Sequence, residues 1–170
     1  IRKIVISTGV VTTIAGNAGS SGSTDGTGTS ARFKNPEGII SDGTNLYVAD
    51  QGNHVIRKIV ISTGAVTTLA GKAGHNGSTD DAGTAARFKH PTGITTDGTN
   101  LYVTDYNNNK IRKIVISTGV VTTLAGSGSA GSANGTGTAA SFSQPKGITT
   151  DGTNLYVVDH ANHTIRKIKI

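Results

Sequence analysis

The chain has 170 residues, 34% of them apolar, with a formal net charge of +6, 24 Gly and no Cys, Met or Trp. The lack of cysteine excludes disulfides, thiolate metal centres and cysteine nucleophiles, and no apolar run is long enough to cross a bilayer. Eight of the sixteen basic residues (Arg2, Lys3, Arg57, Lys58, Arg112, Lys113, Arg166 and Lys167) sit in one recurring motif, so the charge reads as a repeat-building feature rather than the footprint of an anionic partner.

That motif, Ile-Arg-Lys-Ile, begins at residues 1, 56, 111 and 165, spacings of 55, 55 and 54. Residues 1–35 are predicted to supply strands c and d of a first copy and then a long loop. The first complete copy spans 36–90. Its strand a (38–42) ends at Asp42-Gly43-Thr44-Asn45, residues that suit a tight turn between antiparallel neighbours. Strand b follows at 46–49, and the turn 50–54 leads into a β-branched strand c at 55–62. Ser62-Thr63-Gly64 turns the chain again into strand d at 65–70. The second copy occupies 91–144, and 145–170 give strands a to c of a last one. Single helical turns at 29–33, 84–88 and 138–142 are expected to place Phe33, Phe88 and Phe142 between sheets. Four short strands joined by tight turns make an antiparallel propeller blade, whereas βα units would need helices of about ten residues or more. The predicted fold class is therefore all-β, a β-propeller segment of three repeats.

Leu46-Tyr47-Val48-Ala49-Asp50 followed by Gly52-Asn53-His54-Val55-Ile56-Arg57 resembles the NHL repeat. Ala31-Arg32-Phe33, Pro36 and Val66-Thr67-Thr68-Leu69-Ala70-Gly71 are similar to the long form of that repeat in bacterial secreted or periplasmic proteins, which implies a location outside the cytoplasm. The third copy keeps Asn162-His163, while the second has Asn108-Asn109-Lys110. The resemblance implies a closed ring of about six blades, of which three repeats are half, or a segment of a longer propeller. A blade buries both faces, so the two flanks of three blades need cover, by self-association or by further repeats. Ile1 opens in mid-repeat without an initiator Met, so the termini are expected to belong to a trimmed or longer product.

The three loops of about twenty residues, rich in Gly, Ser and Thr, are expected to be functional or mobile. Asp25, Asp80 and Asp81 lack an EF-hand spacing, and the five histidines lack a zinc-hydrolase spacing, so neither a metal nor a cofactor is expected. Asp50, Asp105 and Asp159 recur at the end of strand b and are read as structural partners of Arg57, Arg112 and Arg166. Asn76, Asn134 and Asn162 match the glycosylation sequon. Candidate binding residues are those that vary in the b-to-c turns: Gln51, Asn53, His54, Tyr106, Asn107, Asn108, Asn109, His160, Asn162 and His163. The function expected is a noncatalytic scaffold for protein or carbohydrate binding, or for assembly. The resemblance also implies two alternatives. One is an RNA-binding platform, for which Tyr106 is the one aromatic in a b-to-c turn. The other is a metal-dependent lyase or hydrolase at the axis of a closed ring.

Overall fold

The computed structural model describes residues 1–170. In chain order its strands are β1 (Arg2–Ile4), β2 (Val11–Thr13), β3 (Gly26–Thr27), β4 (Pro36–Ser41), β5 (Asn45–Asp50), β6 (Val55–Val60), β7 (Ala65–Ala70), β8 (Pro91–Thr96), β9 (Asn100–Asp105), β10 (Lys110–Val115), β11 (Val121–Ala125), β12 (Pro145–Thr150), β13 (Asn154–Asp159) and β14 (Thr164–Lys169). They form four antiparallel sheets in step with the sequence period: β1-β2, then β4-β5-β6-β7 with β3 at its far edge, then β8-β9-β10-β11, then β12-β13-β14. The chain is all-β, built of propeller blades. Strands β4, β8 and β12 pack on one another and form the inner, axial wall.

Local chemistry sets the strand limits. Strand a begins two residues earlier than the turn signals suggest, because Pro36 still pairs with Asp50 across a register shift that precedes Ile39. It stops at Ser41 because the Asp42 carboxylate accepts the amides of Thr44 (2.8 Å) and Asn45 (2.6 Å) and the Tyr47 hydroxyl (2.8 Å). Asp97 and Asp151 repeat this arrangement with Tyr102 and Tyr156. Strand c ends at Val60, short of the predicted residue 62, where Gly64 donates back to the Val60 carbonyl.

Strand alternation sends successive side chains to opposite faces, so each seam draws on two blades. Tyr47, Ala49, Ile56 and Ala70 of the second blade meet Ile94, Leu101, Val103, Ile114 and Val121 of the third. Phe88 is fully buried in that seam, while Phe33 and Phe142 fill the seams before and after it. The helical turns that deliver these rings are 3-10 and sit one residue upstream of their predicted starts, at Gly28–Ser30, Gly83–Ala85 and Gly137–Ala139.

Inner strands approach so closely that only glycine fits. A Cβ on Gly38 would lie within van der Waals overlap of the Thr92 carbonyl, and one on Gly93 would collide with that of Lys146. Gly147 holds the same place on the last blade, where its neighbour is its own Val158 side chain.

Candidate functional site

The long loops are tied down rather than loose, and the tie is an arginine. Fully buried Arg57 spans its blade, donating to Asp50 (2.9 Å) and the Arg32 carbonyl (2.9 Å) through one nitrogen, and to Asp25 (2.7 Å) and the Thr24 carbonyl (3.1 Å) through the other. Its guanidinium lies 4.9 Å from the centre of the Phe33 ring. Arg112 makes the same set with Asp105, Arg87, Asp80, Thr79 and Phe88. Arg166 does so with Asp159 and Phe142, and Asn134 stands where the others have an Asp. A planar donor fork thus meets two carboxyl groups and two carbonyls at once, which anchors each loop at its middle and its end. Burial pushes the Asp50 and Asp105 carboxyls up from the ordinary range, while the neighbouring Asn, backbone amide and Arg pull them down. Asp25 and Asp80 also accept the Thr68 and Thr123 amides, so their oxygens are spent on protein rather than offered to a cation.

The turn residues singled out from sequence separate into three groups. Asn53, Asn108 and Asn162 are inward latches: each amide donates to the preceding Asp (2.8 Å) and to a loop carbonyl of Gly22, Gly77 or Gly131. Their expected ligand-facing role does not fit, because those donors are already used within the fold, and the same holds for Asn162 as a sugar acceptor. His54 and Asn109 sit at seams. His54 Nδ1 accepts the His90 amide (3.2 Å) with the two rings edge to face at 4.5 Å, and Asn109 accepts the Gln144 amide (2.9 Å). All three turn residues His54, Asn109 and His163 have left-handed backbone conformations, with φ between 53° and 62°. Burial lowers the His54 pKa, with His90, Lys34 and Lys89 adding to the effect. The outward group is Gln51, Tyr106, Asn107, His160 and His163, all half-buried or exposed.

Glu37 and Thr92 were missed from sequence; with Lys146 they are the middle residues of Pro-x-Gly at the start of each inner strand. Together with Gly38, Gly93 and Gly147 they line one open cavity of about 200 Å³ at the axis. Gln51 donates to Glu37 at 2.9 Å, and the Lys146 ammonium lies 5.7 Å from the centre of the Tyr106 ring. The inner wall is braced nearby, where Thr104 Oγ accepts the Gly93 amide (2.7 Å) and donates to the Lys146 carbonyl (2.6 Å).

Aligning 36–61, 91–116 and 145–170 shows where the copies diverge. Five positions differ in all three: Glu37/Thr92/Lys146, Ala49/Thr104/Val158, Gln51/Tyr106/His160, Gly52/Asn107/Ala161 and Val55/Lys110/Thr164. All five flank the invariant Asp at the end of strand b or sit beside the Pro that pairs with it. Comparing columns between copies would have exposed Glu37, Thr92 and Lys146 from the sequence.

No family model matches the sequence. The chain is 36% identical over 155 residues, 82% of its length, to NHL repeat-containing protein 2 of Bos taurus. It is 34% identical over 178 aligned residues, 95% of its length, to SUPPRESSOR OF QUENCHING 1, a chloroplastic protein of Arabidopsis thaliana. The chain spans only 21% and 16% of those relatives. A crystal structure of a Bacteroides thetaiotaomicron protein of unknown function superposes with a TM-score of 0.81 at 26% identity, covering 99% of this chain and 41% of that one. The repeat motif, the blade topology and these likenesses agree, and the chain belongs to the NHL-repeat β-propeller family.

Proposed function

We propose that the chain is a noncatalytic binding scaffold that engages a protein or carbohydrate partner, outside the cytoplasm, through the axial end of its blades. The observation that carries this reading is that, across strands a to c, the positions differing in all three copies gather at that end, while the strands repeat almost without change. Identical blades make a rigid frame, and differing side chains at one rim give it a partner-specific surface. Committing Asp50, Asp105 and Asp159 to arginine, amide and asparagine partners supports a structural role for them over acid-base chemistry. The long-repeat resemblance supports the extracellular or periplasmic placement.

A triple variant, Gln51→Ala, Tyr106→Ala and His160→Ala, tests the reading against the wild type on oligosaccharide and protein arrays. Because these side chains lie outside the core, the melting temperature should hold while array binding disappears. Binding that survives the triple variant would remove the axial end from consideration. Salt-sensitive retention of single-stranded RNA would favour the RNA-platform reading in its place.

A further inference from the structure

The axial end is electrically lopsided. Glu37 of the second blade and Lys146 of the last face one cavity from opposite sides, with Thr92 between them on the third blade. Each charge is held by its own blade or the one before: Gln51 fixes one Glu37 oxygen and leaves the other open, while Tyr106 lies beneath the Lys146 ammonium. Repeat correspondence puts His160 beside Lys146 as Gln51 is beside Glu37.

Resting on the binding reading above, we propose that this cavity recognises a small dipolar ligand, a short peptide with both termini free. Its ammonium would meet Glu37, its carboxylate Lys146, and its middle would lie over Thr92 and Tyr106. Three observations favour a peptide. The two charges are opposite in sign and separated by a blade, so a ligand with one kind of charge would satisfy one side and be repelled by the other. The floor is made of Gly38, Gly93 and Gly147, so ligand atoms can reach main chain without crossing side chains. Strands β4, β8 and β12 are the last in their sheets, so their inner edges lack a ladder partner; Thr104 takes the Gly93 amide and the Lys146 carbonyl, and the remaining edge groups are of the kind a peptide backbone matches.

The test uses the 170-residue chain labelled with nitrogen-15, with trialanine as the probe, alongside N-acetyl-trialanine and trialanine amide. Free trialanine should shift the amide signals of Gly38, Gly93 and Gly147, and blocking either terminus should weaken it by about tenfold or more, the loss of one charge-assisted contact. Glu37→Gln should weaken free trialanine similarly and erase the effect of acetylation. Lys146→Met should erase the effect of amidation. Both variants should melt as the wild type does. The proposal falls if blocked and free peptides bind alike, or if free trialanine leaves the three glycine signals unmoved. A uronic-acid disaccharide that binds through Lys146 but ignores Glu37→Gln would also overturn the peptide assignment, yet leave the axial end standing as the binding surface. Failure of the triple variant described above to lose its array partner would instead remove the surface itself.

Discussion

His54 and Asn109 hold the same place in successive copies and do the same work with different chemistry. Each accepts an amide from the loop entering the next blade, but only the imidazole can gain a proton. With the folded pKa of His54 below its ordinary 6.5, protonation is resisted by the fold, so its stabilising contribution is complete above pH 6.5 and falls away as the pH drops through that value. His54→Asn should therefore copy the next seam, keep neutral-pH stability, and flatten the fall in melting temperature between about pH 7 and pH 5. The arginine ties offer a sharper contrast. Asp105 is fully buried against Arg112, and Asp105→Ala should cost about 3 kcal/mol in denaturant unfolding, because the guanidinium loses its buried partner and keeps only the half-exposed Asp80. The Asp80 side chain is 44% exposed, and Asp80→Asn reproduces the Arg166–Asn134 contact already present in the last blade, so its cost should stay near 1 kcal/mol or less.

Each blade's first hairpin closes on an Asp-Gly-Thr-Asn turn whose carboxylate holds two amides and a tyrosine hydroxyl. These bonds lower Asp97 to about 2 and Asp42 and Asp151 further still, while burial, joined by the bond to the carboxylate, pushes Tyr47 and Tyr102 up to about 12. Lowered carboxyls stabilise the fold above their unfolded pKa of 3.8 and lose that contribution as the pH falls through the folded values. Beyond the loss that His54 brings, the melting temperature should consequently decline steeply from about pH 4 toward pH 2, and Asp97→Asn should soften that decline. Inner-strand glycines give an independent check: Gly93→Ala would force apart two blades at the Lys146 carbonyl, whereas Gly147→Ala meets only the movable end of Val158. The first should prevent cooperative folding or lower the melting temperature by many degrees, and the second should change it little.

Hairpins and blade period were legible in the sequence because β-branched alternation and Asp-Gly turns are local signals. What escaped was non-local. Gly26–Thr27 carries no apolar pattern, yet pairs with Ala65 and Val66 to add an outer strand. The loops looked loose because an arginine reaching carbonyls and carboxylates well up the chain leaves no local trace. Three of the ten candidate turn residues proved to be latches for the same reason, and Glu37 and Thr92 were hidden as ordinary strand entries.

At the scale of the whole molecule, the two flanks repeat the chemistry of the internal seams without their cover. Ile165 is 67% exposed where its counterparts Ile56 and Ile111 are at 0%, and Ile4 is 63% exposed against 0% for Ile59 and Ile114. One flank matches the left half of a seam and the other the right half, so a further blade of this kind, whether from more repeats or from a second copy, would fit either one. Light scattering should show mass rising with concentration, and Ile165→Lys should return the particle to about 17.2 kDa.

The reach of the arginine ties bears on how such a repetitive chain sorts itself out. Arg57 contacts Arg32 and Asp25, which lie 25 and 32 residues upstream, well inside a single 55-residue period. Near-identical neighbours invite strands to settle in one another's places, a recognised hazard of tandem folds. The same partners recur in every unit, so what favours the correct one is distance along the chain: closing the loop to the unit's own Asp costs less entropy than reaching one a period further away.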